Sequence, residues 1–292
     1  MASYIWRCRM GSGKERAGSK RIMNSKPQFN QSNGTNKSHV STSFAYLTEI
    51  FDSFQGEGVW VGVRQLFVRF AGCHLRCAYC DTPNSVSRGK SFQVLEGDGA
   101  HVVRDIPNPV NGSYLTGIIK GMASGEAYHS VAITGGEPLL QSEFLLDWLP
   151  DIAEMGLDIY LETSGDLHER FAPLAHFVDY CAMDVKLPSA THQPPKWADH
   201  SRFLQLALNS SVRIHVKAVV SEDTTTEEIE RVSDIINACS QDIPLVLQPV
   251  TPCGEIRRSI SLSRLRTLQR VALSTLRDVR IIPQTHKYLG AL

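Results

Sequence analysis

The sequence has no window that approaches the ~18 consecutive apolar residues of a membrane-spanning helix, and its first residues lack the compact apolar stretch of a secretory signal. A soluble, cytoplasmic protein with no membrane partner is expected. Excess charge is also missing. Thirty Lys and Arg balance thirty Asp and Glu, so no global basic field argues for nucleic acid, and a small substrate is expected. The glycines form no G-x-G-x-x-G, which sets aside a dinucleotide-binding fold. Pairable cysteine is scarce too. The count of seven is odd, and three crowd between positions 73 and 80, which is poor material for a disulfide framework. In a reducing compartment such a cluster points to metal.

Acid is nearly absent from residues 1–42, where Glu15 stands alone among Ser, Asn, Gly, Lys and Arg. The composition predicts a disordered basic extension over 1–42 and a single core domain over 43–292. An organelle transit peptide would share the basic charge, but the Asn and Gln content and the lack of an amphipathic Arg-spaced face weigh against it. A start at Met23 is a further alternative.

From Ser43 onward, apolar β-rich runs alternate with stretches of helical period. Strands are predicted at 66–71, 130–134, 158–162, 180–185, 212–220 and 243–250. Helices are predicted near 113–123, 142–155, 199–209, 225–239 and 261–275, several opened by Ser or Thr with an acid following, as in Thr225-Thr226-Glu227-Glu228. This alternation implies an α/β fold with a mainly parallel sheet. Six strands are too few for the eight-stranded barrel, so a partial (β/α)6 barrel fits best. Residues 88–111 interrupt the alternation with two short pieces around Glu96-Gly97-Asp98-Gly99, which reads as an inserted β-hairpin.

Cys73, Cys77 and Cys80 have the spacing C-x3-C-x2-C directly after the first strand. Three thiolates this close suit three corners of a 4Fe-4S cubane, and a fourth iron is left open to chelate the amino and carboxylate groups of S-adenosylmethionine. The bland alternative is a Cys3His zinc knuckle with His74 as fourth ligand. Zinc ribbons usually pair two C-x2-C halves, however, and His74 would have to bend back onto the same ion. A second signal is Thr134-Gly135-Gly136-Glu137-Pro138, at the end of the second strand. There glycines admit a ligand close to the backbone and Glu137 is suited to an ammonium group.

The chain therefore resembles the radical S-adenosylmethionine superfamily, whose hallmark is C-x3-C-x-aromatic-C followed by Gly-Gly-Glu. Within it, the chain is similar to the 7-carboxy-7-deazaguanine synthase family over roughly Tyr46 to Leu292. The matching motifs are Ser53-Phe54-Gln55-Gly56-Glu57-Gly58, Phe67-Val68-Arg69-Phe70-Ala71-Gly72-Cys73, Cys80-Asp81-Thr82 and Gln284-Thr285-His286-Lys287-Tyr288-Leu289. The resemblance implies conversion of 6-carboxy-5,6,7,8-tetrahydropterin to 7-carboxy-7-deazaguanine with release of ammonia, on the way to queuosine and other deazapurines. It implies a 4Fe-4S cluster, S-adenosylmethionine and Mg²⁺, a homodimer, and an electron donor such as flavodoxin or ferredoxin.

It also implies roles for residues. Tyr79, Cys80, Asp81, Gly136 and Glu137 would contact the cofactor, with Tyr79 beside the adenine. Asp184-Val185-Lys186 would do the same where relatives more often read Ser-Pro-Lys, and Gln248-Pro249-Val250-Thr251 would form a second wall. Phe54, Gln55, Gly56 and Glu57 would line the pterin, the Gln55 amide donating and accepting at its edge. Arg69 would hold its carboxylate, and Thr134 and His286 would be further substrate contacts. Thr82 would ligate Mg²⁺. The α-carboxylate of Leu292 would reach the substrate. Glu162-Thr163-Ser164-Gly165 reads equally as a ribose-binding turn or a helix cap.

Cys181 and Cys239 read as small core fillers, and Cys8 and Cys253 have no useful spacing. Histidines 101, 129, 168, 176, 192 and 200 are scattered and suggest no site. Two rival functions remain at this level. A glycyl-radical activase would share the cluster but should lack the Gln55 and Gln284 motifs, and a non-enzymatic Fe-S or zinc protein would have no open iron.

Overall fold

The structure, a computed structural model, describes residues 43–96 and 101–291. The extension expected over 1–42, the tip of the hairpin and Leu292 lie outside the described residues. A short β1 (Phe44–Ala45) leads into β2 (Leu47–Phe54), which runs antiparallel to β3 (Arg64–Phe70). Next come β4 (Ser91–Glu96), β5 (His101–Pro107) and β6 (Val110–Asn111). Helix and strand then alternate: α1 (Gly112–Ala123), β7 (Ser130–Gly135), α2 (Ser142–Glu154), β8 (Ile159–Thr163), α3 (His168–Phe171), β9 (Tyr180–Asp184), α4 (Pro188–Thr191), α5 (Trp197–Leu208), β10 (Arg213–Val220), α6 (Thr226–Asn237), β11 (Leu245–Pro249), α7 (Leu262–Leu273), β12 (Val279–Ile281) and α8 (His286–Leu289).

One ten-stranded sheet carries the fold, in the order β12-β11-β10-β9-β8-β7-β3-β2-β4-β5. From β3 to β12 every neighbouring pair is parallel. The edges β5 and β12 do not pair with each other, so the barrel is partial. All six expected strands are present, and β12 adds a seventh parallel one. At three residues, β12 is too short to register as an apolar run. The strand β2 also escaped the pattern reading, because Thr48, Glu49, Asp52 and Ser53 dilute its apolar positions. The hairpin of β4 and β5 forms as expected, and β4 also pairs with β2, which joins it to the main sheet.

The helix signals act as read. Thr225 caps α6 in a capping box: its hydroxyl accepts from the Glu228 amide at 3.3 Å, while Glu228 accepts from the Thr225 amide at 2.9 Å.

Strand side chains alternate between two faces. Leu66, Val68 and Phe70 of β3 point outward to the helix layer, with Val131 and Ile133 of β7 and Ile214, Val216 and Ala218 of β10. Trp148 of α2 is fully buried against this layer, with its ring 6.3 Å from Phe70 and 5.8 Å from Phe144. Each fully buried Leu or Phe stabilises by about 1.5–3 kcal/mol, so the outward face supplies stability and the inward face is free to be polar. Inward, Phe51, Phe67, Tyr160, Tyr180 and Ala182 form a second cluster against Trp60. Further along the strands, toward their C-terminal ends, the inward positions are Arg69, Thr134, Glu162, Asp184, Lys217 and Gln248. That is the end of the strands where a parallel barrel carries its chemistry.

Candidate active site

A cavity of about 490 Å³ opens at these strand ends. The loop after β3 lines one side. Gly72, at a φ of 103°, starts it, and its amide donates to the Ser85 carbonyl at 2.7 Å, which anchors the turn that carries Cys73. Cys73, Cys77 and Cys80 are free, half-buried and in the cavity wall. Burial raises the thiol pKa of Cys73 and takes that of Cys77 to about 11, so without a cation those two sulfurs keep their protons. A metal cluster is the partner that ionises such a set outright. His74 does not line the cavity with the three cysteines, and its Nε2 lies 2.8 Å from Asp166. Among the described residues no three His, Cys, Asp or Glu side chains are placed to hold a metal ion by themselves, and Thr82 brings a single hydroxyl to the cavity.

A chain of buried charges crosses the floor between the cysteines and the rest of the cavity. The Lys186 ammonium lies 5.5 Å above the Tyr79 ring and 2.9 Å from Asp184. Asp184 is 3.1 Å from Lys217, its register partner across β9 and β10, and Lys217 also pairs with Glu57. Burial opposes ionisation of Glu57, but Lys217 outweighs it and holds the carboxyl at about 2. Asp184 is likewise kept ionised against burial by Lys186 and Lys217. Among the described residues its Oδ1 nonetheless has no partner, nor has Oε1 of Gln248, although both atoms are buried in residues of the wall. Two orphaned acceptors beside three desolvated thiols suit a ligand that brings hydrogen-bond donors and a metal, as S-adenosylmethionine on a 4Fe-4S cluster does.

Opposite the cysteines, Glu162 accepts from Gln55 Nε2 at 2.8 Å and from the Thr134 hydroxyl at 2.7 Å. Gln55 also donates to Gln65 at 3.0 Å, and its oxygen accepts from the Glu57 amide at 3.0 Å. Both amide protons are thus used within the protein rather than left free toward the cavity. Gln55 orients Glu162. Arg69 donates to Glu49 at 2.7 Å and stands over the Phe51 ring at 5.4 Å. The segment after β12 completes the wall: Thr285 donates its amide to the Gly56 carbonyl at 2.8 Å, and Gln284 bridges Glu57 at 2.7 Å and Asp81 at 2.9 Å. A Cβ at Gly56 would stand 2.1 Å from Nδ1 of His286, so a larger residue there would displace the imidazole.

Of the expected site residues, Cys73, Cys77, Tyr79, Cys80, Asp81, Thr82, Gly136, Asp184, Lys186, Gln248, Val250 and Thr251 share this cavity with Phe54, Gln55, Gly56, Glu57, Arg69, Thr134 and His286. Three others do not line it. Val185 is buried in the outward core, and Pro249 also stands outside the wall. Glu137 is buried and fully used: its oxygens accept from the Leu139 amide, the Thr163 hydroxyl, and the Ser164 amide and hydroxyl. Instead of meeting an ammonium, it fixes the turn after β8. Leu292 lies outside the described residues. Sequence reasoning missed Glu49, His215 and Lys217. For the last two a signal existed, since His215, Lys217 and Val219 alternate with apolar residues in β10 and face inward together.

Comparisons with known proteins agree with this geometry. The Radical SAM superfamily profile matches residues 67–236. A protein of Geobacter sulfurreducens named 7-carboxy-7-deazaguanine synthase is 40% identical over 255 residues, which is 87% of this chain and 100% of the relative. A protein of the same name from Methanothermobacter thermautotrophicus is 33% identical over 265 residues, covering 84% of this chain and 97% of its own. Among solved structures, QueE from Escherichia coli superposes with a TM-score of 0.55 at 20% identity, over 83% of this chain and 95% of that one, which is a likeness of fold.

Proposed function

The chain belongs to the 7-carboxy-7-deazaguanine synthase family of the radical S-adenosylmethionine superfamily, and we propose from that premise how its cavity is divided between cofactor and substrate. The reaction is ring contraction of 6-carboxy-5,6,7,8-tetrahydropterin to 7-carboxy-7-deazaguanine with release of ammonia. The observation that carries this reading is a single cavity lined both by three thiols and by a half-buried carboxylate, Glu162, held by Gln55 and Thr134.

When bound at Cys73, Cys77 and Cys80, the 4Fe-4S cluster with S-adenosylmethionine supplies a 5′-deoxyadenosyl radical. The chain's own residues bind and orient. Tyr79, Asp81, Gly136, Asp184, Lys186, Gln248, Val250 and Thr251 form the cofactor wall, where the free acceptors of Asp184 and Gln248 meet donors of the ligand. Glu162 accepts from the guanidine-like edge of the pterin, and Arg69, in balance with Glu49, takes its carboxylate. Phe54, Gly56, Glu57 and His286 line the substrate side, and the bonds of Gly56 to Thr285 and of Glu57 to Gln284 close that wall against water. The Thr82 hydroxyl, in the cavity wall, would supply one ligand to a Mg²⁺ that neutralises charge on the substrate.

The family resemblance further supports a homodimer fed by flavodoxin or ferredoxin in the cytoplasm. No helix among the described residues is long and apolar enough to cross a membrane.

Anaerobic incubation of the cluster-loaded protein with dithionite, S-adenosylmethionine and the carboxytetrahydropterin is expected to yield the deazaguanine acid and 5′-deoxyadenosine. Cys77→Ala is expected to lose cluster iron and both products. Cofactor cleavage by the wild-type protein without the deazaguanine acid would sink the substrate assignment.

A further inference from the structure

We propose that His215 is a substrate-contacting residue at the floor of the cavity, where its imidazole hydrogen-bonds the polar edge of the bound pterin. The inference rests on the reading of this cavity as a pterin site. His215 lines the cavity and is 0% exposed, yet neither ring nitrogen has a hydrogen-bond partner among the described residues. Leaving one buried donor or acceptor unpaired costs about 1–3 kcal/mol, and this ring leaves both nitrogens so. A Phe or Leu would fill the position without that cost, so packing alone does not account for an imidazole.

The surroundings seat the ring. Trp60 meets it edge-on at 5.1 Å between centroids. Gly58 lies against it with a φ of 67°, and a Cβ there would stand 2.2 Å from Nε2. The chain thus keeps a left-handed glycine where a side chain would expel the imidazole. Its outward neighbours Ile214 and Val216 belong to the core, whereas His215, Lys217 and Val219 face the cavity. The charged groups acting on His215 are Lys217, Asp184, Glu57 and Arg280. Burial first, then Lys217, pushes its pKa down to about 3, so at neutral pH the ring is uncharged. It then offers one N–H donor and one bare acceptor. That pair matches the alternating donors and acceptors of a pterin edge better than it matches a carboxylate, for which Arg69 is present. A buried water would also satisfy the ring, but substrate affinity would then not depend on it.

The test compares full-length, cluster-loaded wild type with His215→Leu, His215→Phe and His215→Asn under anaerobic conditions. The readings are the Kd of 6-carboxy-5,6,7,8-tetrahydropterin, the Kd of S-adenosylmethionine, iron content and Tm. The Leu and Phe variants are expected to bind the pterin about tenfold or more weakly, with S-adenosylmethionine affinity and iron unchanged. The Asn variant, which keeps a donor and an acceptor, recovers part of the loss. Wild-type pterin affinity in a folded Leu or Phe variant overturns the inference. So does failure of all three variants to fold, because the ring would then serve the barrel itself. Absence of deazaguanine acid from the wild-type reaction overturns the functional reading instead, and it is read without any variant.

Discussion

Lys217 joins the two halves of the cavity, since Glu57 is on one side of its ammonium and Asp184, shared with Lys186, is on the other. Its removal would leave Glu57 without a counter-charge and Asp184 with Lys186 alone, and an ion pair broken in this way typically costs about 3–5 kcal/mol. Lys217→Met is therefore expected to melt several degrees below wild type at neutral pH. The pH dependence has a definite sign. Glu57 is held at about 2 in the folded chain against 4.5 for the free group. A depressed folded value adds stability that is complete above about 4.5 and fades as pH falls toward 2. In Lys217→Met that contribution is gone, so the gap in Tm from wild type should be widest above pH 4.5 and should narrow toward pH 2. Calorimetry across that range checks it, and a constant gap would count against the pairing.

The elements show how the site is braced. After β11, the Glu255 amide donates to the Ala78 carbonyl at 2.8 Å, and the Cys253 thiol to the Tyr79 carbonyl at 2.9 Å. Between them Gly254 has a φ of 56°, and a Cβ there would stand 2.4 Å from the Ala78 oxygen. This clash is with backbone, so Gly254→Ala must shift the cysteine loop. Iron per chain and S-adenosylmethionine affinity are expected to fall together, while far-UV circular dichroism stays unchanged. The hairpin is the opposite case. Phe92 is 1% exposed in the outward core, and no described side chain of β4 or β5 lines the cavity. Phe92→Ala is expected to cost about 3–5 kcal/mol of stability and to leave the pterin KM as it is.

These elements also show what a sequence can display. The cysteine loop was legible because its ligands sit within one turn of chain, and the six apolar strands because burial on both faces writes a continuous run. The pairing of Lys217 with Glu57 was not, since it spans 160 positions and each partner alone resembles an ordinary surface charge. Gln55 lines the cavity as its motif implies, but its bonds to Gln65 and Glu162 were not legible, because these partners come from β3 and β8.

At the scale of the whole molecule, the sheet remains open between β5 and β12, and the segment that follows β12 does what a further strand would do in a closed barrel. The last buried apolar side chain among the described residues is Val279, so a chain stopped at Pro283 retains the core. It loses Gln284, Thr285 and His286. Such a truncation is expected to fold and to load its cluster, yet to lose deazaguanine formation by about 100-fold or more, since displaced positioning groups cost that much. Product yield measured against iron content separates the two effects.

The clasp between Gln284 and Asp81 has a temporal side as well. The two residues are 203 positions apart, and at a ribosomal pace of about 5–20 residues per second the first waits on the order of ten to forty seconds for the second. During that interval a nascent chain already exposes all three thiols but has no finished chamber around them. A polypeptide abandoned midway would therefore carry the thiols with neither the brace from residues 253–255 nor the wall that accepts a pterin.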